Sequence, residues 1–184
     1  MSTQTKPLTA EDLLLISEPG KRFELDNGEL IEMTPPNPLH ALIVGQAYWL
    51  LRNYTQRAKA GLVFSESGFV VRRDPDTVRA PDVAFVAKDR LALSSVREKY
   101  LEIAPDLVVE VVSPGDRAAE VQTKVREWFD AGVKLLWLVF PRTRSVAVYH
   151  SPKDMHEFWE DDMLDGGTVL PGFSCYVREM FDVE

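Results

Sequence analysis

The chain has 184 residues, 45% of them apolar and 27% charged, which suits one domain with a substantial core. Its net charge of −8, from 21 Lys and Arg against 29 Asp and Glu, argues against non-specific nucleic-acid binding, which needs cations to displace counterions from phosphates. Cys175 is the single cysteine, which excludes an internal disulfide or a cysteine-based zinc site and makes a reducing cytoplasm the expected compartment.

The opening segment "MSTQTKPLTAEDLLLIS" has no apolar run long enough for a signal peptide, and no stretch approaches a membrane span. A single domain over 1–184 is expected, with a short loose N-terminus to about residue 8. Thr9 followed by Asp12 predicts a capped short helix ending at Pro19-Gly20. "RFELDNGELIEM" reads as a hairpin turning on Asp26-Asn27-Gly28. Asn37 and Pro38 then open a long helix, as N-cap and first-turn residue. Its stripe at helical spacing is Leu39, Leu42, Ile43, Leu50 and Tyr54, and it stops at Gly61.

"LVFSESGFVV" predicts a strand bent at Gly68, and "PDVAFVA" predicts another. Arg72, Arg73 and Arg79, in "VVRRDPDTVR", read as solvated loop charges, as do Arg142 and Arg144. "LALSSVREKYLEIA" is an irregular connection. "DLVVEVVS" is a strand buried on both faces, and Ser113 to Asp116 start a helix running through Ala131. "VKLLWLVF" is the next buried strand, and the tail is a short β excursion. Strand, helix and buried strand in succession imply a parallel crossover. With the hairpins beside it the sheet is mixed, and the fold class is α/β (α+β).

Within that crossover Glu110 stands among four valines. A buried carboxylate without a partner costs several kcal/mol, so it must be neutralised, hydrogen-bonded or holding a cation. Asp82 begins a separate apolar strand, and Lys124 borders the apolar stripe Val121, Val125, Trp128 and Phe129 of the following helix, where Arg126 and Glu127 point outward. Two carboxylates and a lysine can therefore meet at one sheet edge. Hard cations such as magnesium take oxygen ligands and keep waters, so Asp82 and Glu110 suffice as metal ligands for phosphodiester hydrolysis, with Lys124 supplying positive charge. The bland alternative remains beside it: Asp82 capping a turn, Glu110 paired with a buried arginine, Lys124 solvated.

Several segments, in order, resemble one family. They are "RFELDNGELIEMTPP", "HALIVGQ" from His40 to Gln46, "RAPDVAFV", "PDLVVEVVSPGD", "VQTKVREWFDAGVKLLWLVFPRTRSVAVY" and "LPGF". This is the Uma-type family of restriction-endonuclease-like proteins, within the PD-(D/E)XK nuclease superfamily. The resemblance implies a restriction-endonuclease-like fold: a mixed central sheet flanked by helices, with a magnesium site (manganese as substitute) where two strands diverge. Asp82 resembles the first carboxylate and Glu110 the second. Val112 stands where the superfamily places its lysine, and Lys124 on the next helix takes that role. Glu29 matches the hairpin acid, or is an exposed turn residue. His40 matches the family's histidine, which contacts the scissile phosphate, or is structural. Gln46 matches an amide-bearing position, either auxiliary to the metal or satisfying a backbone group. Ser113 is expected to form a turn, and Trp128, Phe129, Trp137 and Phe140 to be core.

The activity so implied is a magnesium-dependent endonuclease that hydrolyses nucleic acid, DNA first, leaves 5′-phosphates and works as a homodimer. The alternative, favoured by the acidic balance and by the absence of a separate DNA-recognition domain, is a non-catalytic interaction module that keeps the nuclease fold.

Overall fold

The computed structural model describes residues 6–16 and 18–183. The expected loose N-terminus falls largely outside these residues; at its inner end the Leu8 N–H donates to Gly28 O at 2.9 Å. The chain runs through α1 (Ala10–Leu15), β1 (Arg22–Asp26), β2 (Glu29–Met33), α2 (Pro38–Ala58), β3 (Gly61–Ser65) and β4 (Phe69–Arg72). It continues with β5 (Thr77–Arg79), β6 (Val83–Ala87), β7 (Leu107–Val111), α3 (Ala118–Asp130) and β8 (Leu135–Phe140). β9 (Ser145–Ser151), β10 (Asp154–Phe158), β11 (Met163–Gly166) and β12 (Leu170–Tyr176) close the chain, before a 3-10 turn at Val177–Phe181.

Local chemistry explains most element ends. Thr9 and Asp12 form a reciprocal capping box on α1. The hairpin pairs Asp26 with Glu29 across Asn27 and Gly28, both at positive φ, which is the geometry a two-residue turn demands. A Cβ at Gly28 would also lie 2.4 Å from Pro7 Cβ, so the turn closes tightly under the chain's start. Asn37 caps α2 by accepting the His40 N–H at 3.0 Å.

The central sheet has the order β10-β9-β8-β7-β6-β3, with β7 and β8 parallel and the other pairs antiparallel. α3 is therefore the predicted crossover. α2 covers one face, where Ile43, Ala47 and Leu51 share a cluster with Phe85, Val109 and Trp137. α3 covers the other, where Val125 and Trp128 meet Val108, Leu136 and Leu138. Fully burying a Val, Leu, Ile or Phe is worth about 1.5–3 kcal/mol, so these two layers supply most of the driving force. A second sheet, β2-β1-β5-β4, carries the hairpin.

Four expectations change here. The stripe predicted for α2 is rotated: Leu39 and Leu42 are 51% and 52% exposed, while His40, Ile43, Val44, Ala47 and Leu51 are buried. From Pro38 to Leu51 the helix carries no Lys, Arg, Asp or Glu, so both faces are apolar and periodicity cannot choose between them. "LVFSESGFVV" is not one bent strand but β3 and β4 in different sheets, parted at Glu66, which has φ of 50°. Gly68 follows, with Tyr100 packed where its Cβ would be. The helix expected from Ser113 begins at Ala118; Ser113 to Asp116 form a turn in which Ser113 N donates to Asp116 Oδ2 at 2.8 Å. Finally Arg79, read as a loop charge, belongs to the buried strand β5.

Candidate active site

The antiparallel ladder of β6 and β7 ends at Val83 opposite Val109. Asp82, one residue before β6, turns its carboxylate across the gap and accepts the Val111 N–H at 2.7 Å. The side chain thus replaces the backbone carbonyl that the diverging strand withdraws. His40 Nε2 lies 3.3 Å from the same Oδ2, which leaves Oδ1 without a protein hydrogen bond among the described residues. His40 arrives there because the Asn37 cap fixes the first turn of α2. Its hydrogen bond to Asp82 raises the imidazole pKa, against the opposing effect of burial. Its Nδ1 is buried without a partner among the described residues.

Glu110 follows Val109 on β7, and alternation points it to the α3 side with Val108. Trp128 Nε1 donates to its Oε1 at 3.0 Å. Burial pushes this carboxyl up to about 7; Lys124 opposes the rise, and the negative charges of Asp82 and Glu24 add to it. Lys124, half-buried on α3, has its pKa raised chiefly by Glu110, with Glu24, Asp116 and Asp82 adding, so it is a firm cation at neutral pH. It acts through space, without a direct ion pair among the described residues.

Glu24 of β1 was not singled out from the sequence, yet it is only 5% exposed and lines the same cleft. Its Oε1 accepts the Ala80 N–H at 2.9 Å, and its Oε2 lies 3.4 Å from Arg79 Nη1. Arg79 in turn grips Glu127 with two bonds, Nε to Oε2 at 2.9 Å and Nη2 to Oε1 at 3.1 Å, so Glu127 points inward and not to solvent. The signal for Glu24 was fainter than that for Glu110: an acid between Phe23 and Leu25 in an otherwise charged arm. It was hidden because hairpin alternation normally puts such an acid on the wet face.

The other candidates lie apart. Glu29, exposed at the start of β2 and in register with Asp26, is not among the residues lining the cleft. Gln46 Nε2 donates to Glu179 O at 2.8 Å and so satisfies a backbone group, tying α2 to the C-terminal turn. Trp128 is core by burial, but its indole N–H belongs to the site.

Asp82, Glu110, Glu24, His40 and Lys124 therefore share one cleft of about 810 Å³, walled by the hairpin, the start of α2, the ends of β6 and β7, and the Ser113–Asp116 turn. Among the described residues no group of three or more His, Cys, Asp and Glu side chains is arranged to hold a metal ion. A cation here would rest on Asp82 and Glu110, with water completing its shell. That matches magnesium, which uses one or two carboxylates and retains waters. No helix among the described residues is long and apolar enough to cross a membrane.

No curated protein matches the chain. A crystal structure described as that of a "putative nuclease belonging to DUF820" from Anabaena variabilis is similar in fold, with a TM-score of 0.80 at 19% identity, covering 96% of this chain and 99% of that one. The mixed sheet with helices on both faces is thus a restriction-endonuclease-like fold. The family Uma2, described as "Putative restriction endonuclease", matches residues 10–178. That match spans nearly the whole sequence, and the chain belongs to the Uma2 family of restriction-endonuclease-like enzymes.

Proposed function

We propose that this enzyme is a magnesium-dependent nuclease that hydrolyses phosphodiester bonds of nucleic acid, DNA first, with manganese able to replace magnesium. The observation that carries the reading is that Glu110, Asp82, Glu24 and Lys124, from four distant segments, line one cleft, with Glu110 in its buried wall. Such a concentration of negative charge around an interior acid calls for a cation. When bound by Asp82 and Glu110, magnesium polarises a phosphoryl oxygen and acidifies a water. Glu24 stands beside them as a partner for bound water. Lys124 stays protonated and stabilises charge that develops on the phosphoryl oxygens, a role that its raised pKa suits better than that of general base. His40 is a positioning residue that holds Asp82 through Oδ2.

The test is cleavage of labelled nucleic acids by purified protein with and without magnesium, with Asp82→Asn and Lys124→Met as controls. Magnesium-stimulated cleavage lost in both variants supports the reading; no cleavage of any nucleic acid by the wild type refutes it. A homodimer belongs to the same proposal, supported by the exposed apolar face of α2 at Leu39, Leu42 and Trp49. Sedimentation of the wild type against Trp49→Arg checks it: a monomer in both cases removes the dimer.

A further inference from the structure

The cleft is poorly charged for gripping a duplex. Lys21, Arg22 and Lys124 are its three Lys and Arg residues, against the carboxylates of Glu24, Glu32, Glu66, Asp82, Glu110 and Asp116. Two of those cations are already committed. Lys21 Nζ lies 3.0 Å from Glu18 and 3.1 Å from Glu32, and Arg22 is paired with Glu66. Duplex affinity comes largely from free cations that neutralise phosphates. This cleft instead offers apolar surface, with Ile31, Met33, Pro35 and Pro36 on β2 and the loop after it, and Phe23 and Tyr100 elsewhere in its lining. Ile31 is 40% exposed there although it sits on a strand. Such surface suits bases whose faces are free, because stacking on a platform does not depend on phosphate contacts.

A second feature points the same way. A cavity of about 200 Å³ opens beside Glu110, between α3 and the central sheet, and shares Glu110, Asp116 and Lys124 with the cleft. Its inner walls are Val112, Val121, Val125, Trp128, Leu136 and Leu138. An apolar cavity of about 150 Å³ accommodates benzene, so this one has room for a single planar ring. A base within a duplex enters such a recess only by leaving the stack, at a cost of a few kcal/mol that an unpaired base is largely spared.

We propose that the substrate is single-stranded or locally unpaired nucleic acid, with one unstacked base lodged in the recess beside Glu110 and its neighbours lying on the apolar wall of β2 and the following loop. The inference rests on the nuclease reading of the cleft and narrows its substrate class.

Cleavage is measured with magnesium on labelled single-stranded DNA, single-stranded RNA and a blunt DNA duplex of the same sequence. At least one single strand is cut ten-fold or more faster than the duplex, and comparison of the two identifies the sugar preferred. Equal or faster cutting of the duplex overturns the proposal and leaves the nuclease reading intact. Binding to Asp82→Asn, followed by fluorescence anisotropy without metal, separates the two failures. If the wild type cuts nothing, the nuclease reading falls; a ten-fold preference of Asp82→Asn for single strands then upholds the recess and wall as a single-strand binding site, and its absence ends that too. Val121→Phe, which fills the recess, lowers single-strand affinity ten-fold or more with an unchanged melting temperature; unchanged affinity in a folded variant removes the recess. Ile31→Ser, at an exposed position that folding tolerates, weakens single-strand binding through the wall. Should Val121→Phe fail to fold, Ile31→Ser decides: unchanged affinity overturns the proposal.

Discussion

The Asp82 carboxylate accepts the Val111 N–H at 2.7 Å, immediately beyond Glu110, and so bridges the two strands where their ladder ends. One side chain therefore does two separable things. Asp82→Asn keeps an amide oxygen for Val111 but removes the charge, so nuclease activity should fall about 100-fold or more while the melting temperature moves little. Asp82→Ala leaves the Val111 N–H unpaired and should cost a further 1–3 kcal/mol or so. Paired melting curves and cleavage assays check this; an active Asn variant would remove Asp82 from the chemistry.

Lys124 lowers the Glu110 pKa that burial raises. Lys124→Met should therefore move Glu110 titration above about 7 and abolish cleavage, with stability lost chiefly at pH values where Glu110 is ionised. Carbon-detected NMR of the Glu110 carboxyl reads the shift. A carboxyl that titrates unchanged in Lys124→Met would show that the ammonium points elsewhere.

The raised Glu110 pKa has a definite sign for stability. Its carboxyl prefers the proton in the fold, at about 7, more than at its ordinary 4.5. That contribution is fully present below the unfolded value and is lost as pH rises through 7. At about 1.4 kcal/mol per unit it is on the order of 3 kcal/mol. His40, also raised above its ordinary 6.5, loses its contribution in the same direction as pH rises through its folded pKa. Metal-free protein should therefore melt lower at pH 8 than at pH 5, and magnesium should stabilise it more at pH 8. Glu110→Gln should remove the Glu110 part of the slope and the magnesium gain. Equal magnesium effects at both pH values would contradict this.

Arg79 joins β5 to Glu24 in the cleft and to Glu127 on α3. Arg79→Met leaves buried acids without their counter-charge and should cost about 3 kcal/mol in urea unfolding. Arg79→Lys should recover only part, because an ammonium cannot reproduce the two-pronged grip on Glu127. If Arg79→Met unfolds at wild-type urea, the network is ornamental to stability.

Much of the site was legible because Glu110 violates its own strand. An acid among valines marks a place where something else must compensate, and the capped helix start at Asn37-Pro38 and the Asn27-Gly28 turn are equally local signals. Glu24 escaped the same logic because a short hairpin arm with alternating residues normally has a wet face. Here that face closes over Arg79. Glu29, two residues along on the partner strand from the position opposite Glu24, looked equivalent in sequence and stands outside the cleft.

Most elements, the crossover from β7 through α3 to β8, and three of the chemical groups were readable along the chain, because turn residues, periodicity and an out-of-place charge act over a few residues. Long-range packing set which face of α2 is covered, that residues 61–72 divide between two sheets, and that Arg79 is buried with Glu24 and Glu127. Periodicity states which side chains share a face. What lies against that face depends on segments distant in the chain, and it is that contact which sets burial, pairing and pKa.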